Sequence, residues 1–324
     1  MDSPIFILGA HKSGTSLLRS LFDGHPDLYV IPFETHVFKQ LNYPIQNPYF
    51  TNRPKSIAVE KGNFINHLNH INQSEDAYAD SINTNRFKGE TFADNLDVSG
   101  TNKEIINSYF ESIYRADSRM DNSSIQRIVE KSVTHHEHAL ELSLMYPNAK
   151  FIHVVRNPYA NWVALRKYRS ISKGGPLLYR IANSLENNYY FLERNKRTID
   201  NYYVLKYEDL LLDVESTMKS LCSFSDVNYH DTLINPTANG EKWLGNSTTN
   251  KKFNEVNSDN IERWKATVKP IDIYYVNQLF NSIIHNYGYE LIANKSGFYK
   301  KLPKEGMAKY LMNRFYKLYL KQYS

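Results

Sequence analysis

The chain has 324 residues, 41% of them hydrophobic, which is enough to bury the core of one large domain. Its formal charge is +5, yet residues 295–324 carry eight Lys or Arg against the single acid Glu305, so the rest of the chain is slightly acidic. A nucleic-acid binder would spread a basic face through its fold, so DNA or RNA binding is disfavoured. The lone cysteine, Cys222, excludes an intrachain disulfide and points to a reducing compartment.

In chain order, the apolar run Pro4–Leu8 predicts a strand and Thr15–Asp23 a helix, stopped by Gly24-His25-Pro26. The polar loop Gly9–Thr15 between them sets the N–H groups of Ser13, Gly14, Thr15 and Ser16 at a helix N-terminus. Unpaired donors and the helix dipole favour an anion there, and Lys12 is placed to neutralise its charge. The first apolar run is too short for a membrane anchor or a signal peptide, and a cytoplasmic location is expected.

A short strand is expected near Tyr29–Ile31. Residues 42–100 are rich in Asn, Tyr and charged side chains, with a helix over Asn63–Asn72. The stretch from 42 to about 120 reads as an insertion facing an acceptor. Ile105–Tyr114 predicts a helix and Ile125–Val129 a strand, and Thr134-x-x-Glu137 matches a capping box opening a helix towards Leu144. Strand Phe151–Val155, helices Tyr159–Tyr168 and Leu177–Asn195, strand Tyr202–Leu205 and a helix over Val214–Phe224 follow. Residues 235–257 lack a period and read as a loop over the ligand; Ile261–Lys265 and Ile271–Tyr287 read as the last core helices. Strands separated by helices predict an α/β fold, a parallel sheet flanked by helices of the P-loop type, as one domain over residues 1–294 with a basic helical tail over 295–324.

Two positions decide what kind of anion the first loop suits. A nucleotide triphosphatase loop carries lysine directly after its second glycine, whereas here Thr15 holds that place and the cation is Lys12. Such enzymes also need an acid at a second strand end to help hold magnesium, and strand Phe151–Val155 runs instead into Arg156-Asn157-Pro158. A guanidinium there suits a second phosphate rather than a metal.

Gly9-x-x-Lys12-Ser13-Gly14-Thr15-Ser16 followed by Arg156-Asn157-Pro158 resembles the sulfotransferases that use 3′-phosphoadenosine 5′-phosphosulfate, PAPS. The resemblance extends through Glu130-Lys131-Ser132, Tyr146–Lys150, Lys206–Asp209 and Trp243-x-Gly245-Asn246-Ser247. It implies transfer of a sulfuryl group to a hydroxyl, with the 5′-phosphosulfate on the first loop, the 3′-phosphate on Arg156, and no metal. The family's serine eight residues after this arginine is Ala164 here, which leaves Arg166, Tyr207, Lys251 or Lys252 to complete the 3′-phosphate site.

The acceptor hydroxyl needs a base, and a carboxylate within hydrogen-bond reach serves. Glu34, in Phe33-Glu34-Thr35-His36, resembles the glutamate of protein-tyrosine and glycan sulfotransferases, and His36 is the alternative base. Lys131 resembles the lysine that approaches the sulfonate in glycan members; a strand-end lysine facing water is the other reading. The acceptor is a saccharide, a glycolipid or a protein tyrosine. His135, His136 and His138 lack the HExxH order, and no metal is expected on them.

The tail alternates aromatics with bases, as in Tyr310, Arg314, Phe315, Lys317 and Lys321. Such a stripe packs on its own domain more readily than on an anionic membrane, with peripheral membrane contact left open. The rival functions are a nucleotide kinase with an atypical loop and a non-catalytic nucleotide-binding module.

Overall fold

The computed structural model describes residues 2–43, 58–73, 86–120, 125–172, 178–238, 240–245, 256 and 258–293. Lys251, Lys252 and the tail over 295–324 lie outside these described residues.

Five parallel strands form one sheet: β1 (Ile5–Gly9), β2 (Leu28–Val30), β3 (Arg127–Lys131), β4 (Lys150–Val155) and β5 (Tyr202–Lys206), in the order β2-β3-β1-β4-β5. β1 lies at the centre, with Ile5 opposite Val129 on one side and Lys150 on the other. Its sequence is apolar throughout because both faces are covered. Phe6 and Leu8 enter a core with Phe33, Phe38, Tyr109 and Phe151, while Ile5 and Ile7 pack with Leu17, Leu18, Leu21 and Val154 on the opposite face. This is the predicted α/β architecture.

Helix α1 (Thr15–Phe22) follows β1 and buries Leu17, Leu18, Leu21 and Phe22. The short α2 (Val37–Gln40) follows β2 and was not legible in the sequence. The stretch read as an insertion contains α3 (Lys61–Gln73), α4 (Gly89–Asn95) and α5 (Asn102–Ala116). Its Phe64, Leu68, Phe87, Phe92 and Tyr109 enter the core over one sheet face, so this stretch builds the fold as well as its surface. A buried ion pair of Arg86 with Asp117 fastens it, and Tyr29 on β2 donates to the same carboxylate at 3.0 Å. The capping box of this region is at Thr101 and Glu104, at the start of α5.

The expected capping box at Thr134 and Glu137 is absent. Val133–His138 forms a 3-10 turn, α6 spans Ala139–Met145, and Glu137 accepts from Asn187 instead. After β4, α7 (Pro158–Ser172) packs against α8 (Leu178–Thr198) and α11 (Pro270–Asn286) around Trp162, Leu185, Tyr189 and Phe280. β5 leads into α9 (Tyr207–Leu212) and α10 (Val214–Ser225). Within the predicted loop 235–257, Thr237–Ala238 (β6) and Glu241–Lys242 (β7) form a two-stranded antiparallel hairpin. Ile261–Lys265, read as a core helix, is a single 3-10 turn over Arg263–Ala266. No helix among the described residues is long and apolar enough to cross a membrane.

Candidate active site

In an open parallel sheet, ligands bind beyond the carboxyl ends of the strands, where the strand order reverses. Here the chain lays β2 and β3 on one side of β1, then crosses to lay β4 and β5 on the other. The switch point is the pair β1–β4, and the residues that follow these strands are the first loop and Arg156. Glu34 follows β2, Lys131 ends β3, and Tyr207 follows β5, so the predicted site residues on these strands share one edge of the sheet.

The first loop is built by backbone conformation. Gly9, Lys12 and Gly14 all have positive φ, at 151°, 64° and 109°. Ser13 donates both its N–H, at 3.2 Å, and its Oγ, at 2.7 Å, to the Ala10 carbonyl. Ser13 thereby shapes the turn, its amide and hydroxyl both turned to the Ala10 carbonyl. The donors left at the helix start are those of Gly14, Thr15 and Ser16, where first-turn amides have no intrahelical acceptor. Gly14 carries no side-chain cap. A Cβ on Gly14 would collide with the Tyr207 ring, so the tyrosine packs directly against the loop backbone.

Lys12 lies over the Tyr168 ring, 4.8 Å from its centroid. Burial, with the nearby charges of Lys131 and Arg156, pushes its ammonium down to about 8. A cation crowded by two others and partly stripped of water gains most from an anion. Arg156 completes the group. Its Nη1 donates to the Lys12 carbonyl at 2.8 Å, its guanidinium lies 4.7 Å from the centroid of the Tyr207 ring, and its buried Nε donates to nothing among the described residues. Tyr207 thus touches both the loop and the arginine.

On the β2–β3 side, Lys131 Nζ donates to Glu34 Oε1 at 2.5 Å, and His36 Nε2 lies 3.6 Å from Glu34 Oε2. His67 of α3 donates through Nε2 to the Glu34 carbonyl at 3.1 Å. Burial raises the Glu34 carboxyl, but Lys131, His36 and His11 outweigh it and hold the group well below the usual carboxylate range. Burial lowers the Lys131 ammonium, with Glu34 opposing. Burial also takes His36 down to about 4, so its imidazole is neutral at pH 7.

Arg166 is excluded as a phosphate ligand: its guanidinium is buried in an ion pair with Asp272 and donates to the Thr267 carbonyl at 2.6 Å. The three clustered histidines diverge. His135 bonds Glu130 at 2.8 Å, the His138 ring stacks on Phe38 at 4.2 Å, and the buried His136 ring lies 6.1 Å from that of His153. Tyr168 and His67, each in contact with a predicted site residue, were missed, because they lie on helices in runs that read only as amphipathic.

A family model described as the sulfotransferase family matches residues 4–231. No curated protein matches the sequence. Among solved structures, the sulfotransferase domain of the Synechococcus PCC 7002 olefin synthase is 18% identical, with a TM-score of 0.56 over 90% of this chain and 98% of that one. The sulfotransferase domain from the curacin biosynthetic pathway is 20% identical, with a TM-score of 0.55 over 90% and 99%. Mouse SULT7A1, solved with PAP, is 13% identical, with a TM-score of 0.46 over 89% and 86%. With well over half its length matched by the family model, the chain belongs to the sulfotransferase family.

Proposed function

We propose that the protein transfers the sulfuryl group of PAPS to a hydroxyl of a saccharide, a glycolipid or a protein tyrosine. One observation carries the reading: two differently built basic ends, the Lys12 loop after β1 and Arg156 after β4, meet at the switch point. Two cationic groups on separate strand ends suit a nucleotide phosphorylated at both its 5′ and 3′ positions.

In this reading the loop Ser13–Ser16, through its amides and the Thr15 and Ser16 hydroxyls, and Lys12 hold the 5′-phosphosulfate. Arg156 grips the 3′-phosphate, with Tyr207 fixing the guanidinium plane and Lys252 standing in for the family's serine. Fixed charge at the leaving phosphate and correct positioning supply most of the rate, as in loose phosphoryl transfer. Lys12 and Lys131 meet the charge that a metal meets in kinases.

Glu34 takes the acceptor proton, with His36 as the alternative base. A carboxylate gripped by Lys131 is a weak base until that grip is shared. An anionic sulfuryl group beside Lys131 competes for the ammonium, and Glu34 gains basicity as it does so. We place the protein in the cytoplasm, on its lone Cys222, with peripheral membrane contact through the basic tail as a further option.

Labelled PAPS offered with panels of sugars, glycolipids and tyrosine peptides tests the reading directly. The product 3′,5′-diphosphoadenosine should raise the melting temperature more than ATP with magnesium, increasingly with concentration. A larger shift with ATP, abolished by chelating magnesium, would favour the kinase.

A further inference from the structure

Two consecutive residues after β2 are joined, side chain to side chain, to two consecutive residues of β3. Glu34 pairs with Lys131 at 2.5 Å, and Thr35 Oγ1 donates to Glu130 Oε1 at 2.8 Å. The next residue extends the ladder: the His36 amide donates to Ser132 Oγ at 3.1 Å, and Ser132 Oγ donates onward to Glu130 Oε1 at 2.6 Å. His135 Nδ1 bonds Glu130 Oε2 at 2.8 Å. Glu130, Thr35, Ser132 and His135 are all fully buried.

A buried carboxylate is costly unless its lone pairs are met, and three side chains meet these. Such a hub is rigid, because removing any donor leaves an under-satisfied charge in a low-dielectric interior. The burial is also selective. Adjacent strand residues face opposite ways, so Lys131 reaches the site while Glu130 is directed away from it. The hub therefore contacts neither the Glu34 carboxylate nor the Lys131 ammonium, and it fixes the two residues that follow Glu34.

We infer that Glu130 is a positioning residue: by binding Thr35 and Ser132 it clamps the Glu34–His36 segment to the end of β3 and sets the Glu34 carboxylate at its working distance from Lys131. This inference rests on the reading of Glu34 as the base. The positions that matter, Thr35, Glu130 and Ser132, lie outside the nucleotide loop and Arg156.

The test uses the full chain with labelled PAPS and the best acceptor, or water where no acceptor is found. Thr35→Val keeps the shape and removes the donor, Thr35→Ser keeps the donor, and Glu130→Gln keeps the shape and removes the charge. Each is made in the parent and in Glu34→Gln. A displaced base should cost turnover on the order of 10²-fold. The expected result is that loss for Thr35→Val and Glu130→Gln in the parent, no further loss in Glu34→Gln, unchanged affinity for 3′,5′-diphosphoadenosine, and recovery in Thr35→Ser. Equal losses in both backgrounds, or loss of turnover together with nucleotide affinity and melting temperature that Thr35→Ser does not recover, would show a merely structural role and overturn the inference. So would parent-like turnover in Thr35→Val while Glu34→Gln is impaired. Full activity of Glu34→Gln itself would instead sink the reading on which the inference rests.

Discussion

Arg156 donates to the Lys12 carbonyl at 2.8 Å, tying the end of β4 to the tip of the loop after β1. One guanidinium therefore braces the loop after β1, and its buried Nε has no hydrogen-bond partner among the described residues, which leaves it for the proposed 3′-phosphate. Arg156→Ala should weaken 3′,5′-diphosphoadenosine binding by about 2–5 kcal/mol, the range for truncating one partner of a buried charge pair. Arg156→Lys keeps the charge but loses both the fork and the plane that lies on Tyr207, and should recover only part of the loss. Isothermal titration of both variants checks this, and parent-like binding in Arg156→Ala would remove the arginine from the site.

Gly14 is required for two separate reasons. Its φ of 109° is one that L side chains adopt poorly, at about 1–2 kcal/mol, and its Cβ would enter the Tyr207 ring, adding an overpacking cost of about 1–3 kcal/mol. Gly14→Ala should lower the melting temperature and nucleotide affinity together, because Tyr207 also supports Arg156. Adding Tyr207→Ala should recover part of the melting temperature, since only the clash is relieved. Full recovery in the double variant would mean that the backbone angle costs nothing.

Much of this site was legible because it lies in contiguous motifs that follow strands. The loop Gly9–Ser16, Arg156 after a buried run and Glu34 after β2 each announce themselves by order along the chain. What escaped depends on contacts between distant segments. Arg166 looked as available as any cation until Asp272, more than a hundred residues later, proved to be its partner. The Thr134 box failed because Glu137 bonds Asn187 across helices rather than its own cap. The short α2, α4 and α9 carry too few turns for a period to show, and tertiary packing stabilises helices of that length. Tyr168 and His67 lie in helical runs whose sequence reports amphipathicity and nothing of what their tips touch.

If Lys12 holds the nucleotide as proposed, binding should depend on pH. Its ammonium is held at about 8 instead of the usual 10.5, by burial first and by Lys131 and Arg156 next. Above about pH 8 the free protein loses this charge, so affinity for 3′,5′-diphosphoadenosine should fall as pH rises through that value. Stability should move the other way. Between about 8 and 10.5 the unfolded chain binds more protons at this lysine than the folded one, so the contribution of Lys12 to stability rises with pH. Falling affinity without a falling melting temperature separates loss of one charge from alkaline unfolding. Lys12→Arg stays charged throughout and should flatten the affinity profile; a profile that keeps its inflection in Lys12→Arg would assign the titration to another group.

Glu34 and Lys12 act in this reading at opposite ends of the transferring sulfuryl group, so their variants should differ in kind. Glu34→Gln keeps shape and hydrogen-bonding reach while removing the base, and should lower turnover by on the order of 10²–10⁴ with nucleotide affinity near normal. It also releases Lys131 from its 2.5 Å ion pair, which cannot weaken an anion's hold on that lysine. Lys12→Ala should damage turnover and affinity together, because the ammonium serves both the bound phosphosulfate and the leaving phosphate. His36→Ala decides between the two bases. The imidazole, neutral at pH 7 and 3.6 Å from Glu34, helps orient the carboxylate if Glu34 is the base, and its loss should then be milder than that of Glu34→Gln. A fully active Glu34→Gln beside an inactive His36→Ala would move the proton transfer to the histidine, and with it the acceptor from the glycan and protein-tyrosine class to small molecules.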